Sequence, residues 1–317
     1  MLDSEIKKLT TKEVFKKIKD KIEKEYNFNE FDKIAFHGMG GSGIIGDIIK
    51  NFFYYENIFF KEVIVNKSYE LPRFLNKNWL NIFISYSGKT EETLESLKSS
   101  IKNGFKSVFI TTNEDAKKFF NSSNYFYYII PKTEYPPRYN LASLLYSVLL
   151  LFLEKEEANN YFNFKDFDIN FANNLVEKLK NKIPVIYSDY KISSVPLRIA
   201  QQFNENSKKH CVYGCFSEVN HNHLEVDENK NFVYVFLRHN LEHERVKDRF
   251  EIVKGLFKEK GYDFVEIKSE EKGLLRSMLY FINLFDYITI KIGVLNNKKF
   301  DKNPQIDYLK NLLKKKH

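Results

Sequence analysis

The sequence predicts an α/β fold made of two successive doubly wound units, each a parallel sheet flanked by helices. Three observations carry that class. Short β-branched or aromatic runs alternate with helical periodicity from residue 33 onward, the pattern of a parallel sheet covered on both faces. A polar stretch spotted with aromatics, 158–168, interrupts the alternation, which then restarts. The 317 residues supply two cores, at ~150 residues per domain.

In the first half, strands are expected at 33–37, 63–66, 81–85, 107–111 and 125–130, where Val, Ile, Phe and Tyr dominate. Helical spacing of apolar residues marks 44–54, 90–103 and 114–120 between them. One long Leu-rich helix, 139–156, closes the half. The domain boundary is set after residue 158, giving units 1–158 and 159–317. The second unit reads as helix 171–181, strand 185–188, helix 194–206, strand 232–237, helix 241–260, strand 264–267 and helix 272–292. A last helix covers 304–315. Two similar halves suggest an old duplication, although no residue-level repeat links them.

Composition excludes several classes. Charged residues at 29% and hydrophobic ones at 43%, with 30 Phe and 20 Tyr, fit a folded chain and exclude disorder. The longest apolar stretch, 144–153, is too short to cross a bilayer, which needs ~20 residues. Residues 1–8 mix Asp, Glu and Lys without a following apolar region, so no secretion signal is expected. The only two cysteines, Cys211 and Cys215, make no disulfide framework, and a reducing cytoplasm is the expected setting. The net charge of +8 comes from lysines scattered along helices. No helix-turn-helix or aromatic RNP-type strand accompanies it, so no nucleic-acid partner is expected, whereas small anions suit such a surface.

The chain has only 12 glycines, yet Gly38, Gly40, Gly41, Gly43 and Gly46 fall within nine residues directly after the first strand. Glycines at a strand-to-helix turn let the backbone approach an anion while helix-terminal amides point at it. Gly38, Gly40 and Gly43 also satisfy a dinucleotide pattern, but that site requires an acid at the end of the second strand, where this chain has Val65, Asn66 and Lys67. Gly88, Lys89 and Thr90 look like the tail of a P-loop, but Phe83 stands where its first glycine belongs. After the third strand, Ser85, Ser87 and Thr90 place three hydroxyls around Gly88 at a helix start. Hydroxyls donate to phosphate oxygens beside backbone amides. The plain alternative is N-capping by Ser87. Both loops follow carboxyl ends of strands, where ligands bind in open α/β sheets.

The run from His37 to Gly43 and the run from Ser85 to Thr93 resemble the two phosphate-loop motifs of a sugar isomerase (SIS) domain. The closer likeness is to the archaeal-type bifunctional phosphoglucose/phosphomannose isomerases, two-SIS-domain proteins of about this length. The resemblance implies a cofactor-independent aldose-ketose isomerase for phosphorylated hexoses. Gly41, Ser42, Gly43, Ser85, Ser87 and Thr90 then hold the phosphate. Such a reaction needs one base within reach of two adjacent carbons, a group to steady the enediolate and an acid to open the sugar ring. The segment 201–208 resembles the family's glutamate-bearing stretch and makes Glu205 the base. The segment 218–223 resembles the asparagine-histidine-asparagine stretch and makes His221 the ring-opening residue, supplied by the neighbouring subunit of a homodimer. His223 stands where the family usually has glutamate. Arg138, after Pro136 and Pro137, matches the arginine facing the enediolate, and Lys310 the lysine of the final helix. Asp301 and Asn303 stand near where the family usually carries a threonine associated with acceptance of both glucose and mannose epimers.

Two other readings stand beside this one. SIS folds also serve as non-catalytic sugar-phosphate sensors. His210, Cys211, Cys215, His221 and His223 also gather soft-metal ligands within fourteen residues, which a zinc-dependent isomerase would use. Their spacing fits no standard zinc knuckle, and no metal site is assigned. His37 is read as supporting its loop.

Overall fold

The computed structural model describes residues 2–56, 61–227 and 231–316. It begins with two helices that the sequence pattern leaves unassigned, Asp3–Lys7 (α1) and Thr11–Ile18 (α2). The cap of α2 is not local. Thr10 makes no capping bond, and instead Thr11 donates its amide and hydroxyl to Asp286 Oδ2, at 2.8 and 2.6 Å, from 275 residues away. The T-x-x-E pattern of a capping box is present at Thr10 and Glu13, yet the helix start is held from that distance instead.

The first sheet follows as Lys33–His37 (β1), Gly40–Tyr55 (α3), Glu62–Asn66 (β2), Trp79–Ile84 (β3), Glu91–Lys102 (α4), Ser107–Thr111 (β4) and Tyr125–Ile129 (β5). Its strands are all parallel, in the order β2-β1-β3-β4-β5. The expected helix 114–120 is a 3-10 turn, Glu114–Lys118, begun by Asn113 accepting from the Asp115 amide. The order reverses between β1 and β3, so the loops after these two strands open side by side at the switch point of the sheet.

The long helix expected at 139–156 is broken. A 3-10 turn, Pro137–Tyr139, leads into Leu141–Leu150 (α5), and a separate helix, Lys155–Tyr161 (α6), follows. All ten residues of α5 are buried. Continuing straight would carry Glu154, Lys155, Glu156 and Glu157 into the same apolar surroundings, a cost no helix propensity offsets. The chain turns instead, and Phe28 N–H and Asn29 Nδ2 satisfy the Leu151 and Phe152 carbonyls, each at 2.9 Å. Residue 158 lies within α6, between the two sheets.

The second half runs Ile169–Leu179 (α7), Ile183–Asp189 (β6), Ser194–Gln202 (α8), Val212–Phe216 (β7), Phe232–His239 (β8), Glu244–Glu259 (α9), Phe264–Ser269 (β9), Leu274–Leu295 (α10) and Pro304–Leu313 (α11). Its parallel sheet has the order β7-β6-β8-β9. β7 escaped the sequence reading because it is an edge strand whose first residues, Val212 and Tyr213, are exposed. The expected helix 194–206 ends at Gln202 and passes into a π-helical turn, Phe203–Ser207.

One apolar core joins the halves. It runs from α2 and α5 through α3 to α8 and α10. By length and composition α10 could span a bilayer, but 78% of its apolar window is buried inside this protein, against α1, α2, α3, α7 and α8. A smaller core covers the outer face of the second sheet with Phe250, Val253 and Phe257 of α9.

Candidate active site

The glycine turn after β1 is shaped by close approach. A Cβ on Gly43 would lie 2.5 Å from the Gly38 carbonyl oxygen, and Gly40 has φ +50°. The Ser42 and Gly43 amides both close onto the Met39 carbonyl, at 3.0 and 3.1 Å. The first turn of a helix leaves its leading amides without intrahelical partners, so at α3 these are the amides of Gly40 and Gly41. Both residues line the cleft, at the positive end of the helix dipole. Gly43 is buried behind this wall and its amide is already engaged.

His37 ends β1 underneath the loop, wholly buried, stacked on Phe83 at 4.3 Å between ring centroids. Its ring nitrogens meet Asn81 Oδ1 at 3.1 Å and Asn66 Nδ2 at 3.2 Å. Burial pushes its pKa down to about 4, so it is neutral at pH 7 and adds no charge to the site.

Opposite, Gly88 forms the turn after β3 with φ +66°, and a Cβ there would meet Asn113 Cβ at 2.5 Å. Both constraints demand glycine. Ser87 does not cap α4: its hydroxyl accepts from the Lys89 amide at 3.3 Å, and the N-cap residue is Thr90. Thr90 Oγ1 lies 2.9 Å from the fully buried Ser85 Oγ. Ser85 therefore fixes the Thr90 hydroxyl from behind, while Ser42, Ser87 and Thr90 line the cleft.

The second half contributes the opposite wall. Glu205 sits in the π turn, a local widening of the helix that recurs at functional positions. The turn fits because Gly293 of α10 has no side chain: a Cβ there would stand 2.4 Å from the Asn206 carbonyl oxygen. Asn206 accepts from Arg138 Nε and from Tyr139 Oη, both at 3.1 Å, and donates to Thr289 Oγ1 at 3.0 Å. Burial pushes the Tyr139 phenol up to about 12, so it remains a donor. Arg138 also donates to the Phe300 carbonyl, and its own carbonyl accepts from Arg198 at 2.9 Å. This frame leaves Arg138 Nη1 facing Glu205 Oε2 at 3.8 Å.

The cleft between these walls holds about 690 Å³, a size that suits a small ligand. Its rim is completed by Lys310 and Asp307 of α11 and by the loop 301–303. Gly41, Ser42, Ser87, Thr90, Arg138, Glu205 and Lys310 are thus brought together. His221 is not among them: it lies exposed at the end of a 3-10 turn, Glu218–His221, beside the second sheet. Its neighbour His223 is held by Tyr187 Oη at 2.9 Å. The alternative zinc cluster is not assembled. Among the described residues no three His, Cys, Asp or Glu groups are placed to share an ion. Burial also raises both thiols, Cys215 to about 11, which disfavours the thiolates that zinc requires.

Asn303 and Lys208 are the site residues whose role the sequence did not reveal. Asn303 Nδ2 donates to Glu205 Oε2 at 3.0 Å, and Lys208 Nζ donates to Asn303 Oδ1 at 2.7 Å. No local pattern signals a partner 98 residues away.

Residues 168–313 match the family model of the bacterial phospho-glucose isomerase C-terminal SIS domain. A solved glucosamine-6-phosphate deaminase of Thermotoga maritima superposes with a TM-score of 0.66 at 17% identity, covering 95% of this chain and 96% of its own. At that identity the likeness establishes the fold. A bifunctional phosphoglucose/phosphomannose isomerase of Caldicellulosiruptor bescii is 30% identical over 311 residues, 90% of either chain. One of Aquifex aeolicus is 34% identical over 278 residues, 83% of this chain and 84% of its own. The chain belongs to the family of bifunctional phosphoglucose/phosphomannose isomerases.

Proposed function

We propose that this protein interconverts glucose 6-phosphate and fructose 6-phosphate, and accepts mannose 6-phosphate, by moving a proton between C1 and C2 through a cis-enediolate. The observation that carries this reading is the shared cleft. A carboxylate, Glu205, stands beside a guanidinium and across from hydroxyls and free helix-terminal amides.

The phosphate sits against Ser42, Ser87, Thr90 and the amides of Gly40 and Gly41, with Ser85 and Gly43 shaping that pocket from behind. This remote grip positions the sugar's reacting end. Glu205 takes the C2 proton of the open-chain aldose as charge develops on the carbonyl oxygen at C1. It then returns the proton to C1 as the C2 hydroxyl gives up its own proton to O1 and the ketose carbonyl forms at C2. Arg138 Nη1 stabilises the enediolate oxygen, and Lys310 reaches the ring-oxygen side. The general base needs no redox group.

The active unit is a homodimer in which His221 of the partner subunit opens the sugar ring. Two observations support that assembly. His221 is solvent-exposed in its own chain, and none of the residues of α11 is buried. Ile306, Tyr308, Leu309 and Leu312 of α11 stand 43, 67, 57 and 40% exposed, an apolar surface suited to a partner. The two units divide after residue 158, and the enzyme acts in the cytoplasm, where its two cysteines stay unpaired.

A coupled assay on fructose 6-phosphate tests the proposal. Saturable formation of glucose 6-phosphate and mannose 6-phosphate supports it. Tight binding of the hexose phosphate without turnover replaces it with a sensor.

A further inference from the structure

We propose that Asn303 is the positioning residue for the general base, held in one orientation by Lys208 so that Glu205 presents Oε1 to the substrate. This rests on the reading of Glu205 as that base.

A side-chain amide can usually flip, exchanging its donor for its acceptor. Here it cannot, because an ammonium only donates. Lys208 Nζ bonds Asn303 Oδ1 at 2.7 Å, which leaves the Asn303 NH₂ facing Glu205 Oε2 at 3.0 Å. Lys208 is fixed in turn. It occupies the left-handed region, φ +55°, directly after the π turn. From there its ammonium also donates to the Glu205 carbonyl at 2.7 Å and the Lys302 carbonyl at 2.6 Å. All three of its protons are engaged.

Oε2 therefore receives Asn303 on one side and faces Arg138 Nη1 at 3.8 Å on the other. Among the described residues Oε1 has no hydrogen-bond donor, so it is the oxygen left to accept a proton. The segment that carries Asn303 belongs to the approach to α11, so the same clip ties the Lys310 helix to the π turn.

An acid at position 303 would set a second negative charge beside Glu205, so the charges around the pair bear on the test. Other charges face the same space: Arg138 before α5, Lys208 after the π turn and Glu92 on α4. Asp301 and Lys302 precede α11, which bears Asp307 and Lys310. Those groups are common to parent and variants, so a shift between them isolates Asn303.

The test is the pH dependence of kcat/KM on fructose 6-phosphate for Asn303→Ala and Asn303→Asp, with Glu205→Gln as control. Asn303→Asp keeps the size of the side chain and the Lys208 contact but sets a second carboxylate against Glu205. It is expected to raise the acid limb by about one unit or more and cut kcat/KM at pH 7 about 100-fold. Asn303→Ala is expected to lose about tenfold in kcat/KM, carried in kcat. Competitive inhibition by inorganic phosphate stays within about twofold of the parent in both. An unmoved acid limb in Asn303→Asp, or a loss confined to KM in both variants, overturns the inference. If Glu205→Gln is inactive while both Asn303 variants keep the parental profile, the base assignment stands and this inference alone falls. If Glu205→Gln turns over normally, the base assignment falls first.

Discussion

Gly293→Ala tests how the shape of α10 governs chemistry on the opposite wall. The added Cβ would stand 2.4 Å from the Asn206 carbonyl oxygen and 3.2 Å from its carbon. An ordinary C···O contact is ~3.4 Å, so the π turn has to retreat by about 1 Å. Overpacking of this kind costs roughly 1–3 kcal/mol. Asn206 follows Glu205 directly and its side chain holds Arg138 Nε, so the retreat displaces base and guanidinium together. A displacement of ~1 Å at reacting groups lowers kcat about 100-fold. Gly255→Ala supplies the contrast. Gly255 is exposed within α9, and nothing lies within 4 Å of its missing Cβ. There the same change should stabilise by about 0.5–1 kcal/mol and leave kcat alone. Urea unfolding and steady-state kinetics on fructose 6-phosphate read both. Should Gly293→Ala match the parent in stability and kcat, the argument that Gly293 makes room for the catalytic turn is wrong.

Three further outcomes follow from the same geometry. Ser42→Ala and Thr90→Val each remove a hydroxyl from the phosphate wall, and about a tenfold rise in KM with a smaller change in kcat is expected in steady-state assays. An unchanged KM in both would move the phosphate elsewhere. Below pH 6.5 the unfolded chain takes up a proton that buried His37, held down to about 4, refuses. Stability falls with pH through that window, His37 accounting for roughly 3 kcal/mol by pH 4. Unfolding free energies at pH 4.5 and 7.5 should therefore differ less in His37→Gln than in the parent, and an equal slope refutes the assignment. Leu309→Asp places a charge on the exposed apolar face of α11 and is expected to convert a sedimenting dimer to monomer, whereas a monomeric parent removes the partner-subunit role of His221.

How much the sequence revealed depends on how local each signal was. The phosphate wall was legible because five glycines and a hydroxyl cluster sit beside their strands, and the parallel sheet brings the two loops together without further information. Glu205 and Arg138 were legible only through resemblance, since a glutamate near a helix end and an arginine after two prolines are ordinary alone. The π turn that re-aims Glu205 was not visible. It depends on the contact between Gly293 and the Asn206 backbone, 87 positions apart in numbering, ~90 residues of chain that no short-range pattern spans. The same holds for Asn303 on Glu205 and for Asp286 capping α2. The break between α5 and α6 followed from burial. A helix that is apolar on every side cannot continue into four charged residues, and the sequence reading weighed periodicity above that cost.

A structure with fructose 6-phosphate bound tests the central claim most directly. The account predicts phosphate oxygens within hydrogen-bond distance of Ser42, Ser87 and Thr90, with C1 and C2 of the sugar facing Glu205 Oε1 at roughly 3–3.5 Å. A hexose phosphate seated in another cleft, or lying in this one with its carbonyl end turned away from Glu205, contradicts it.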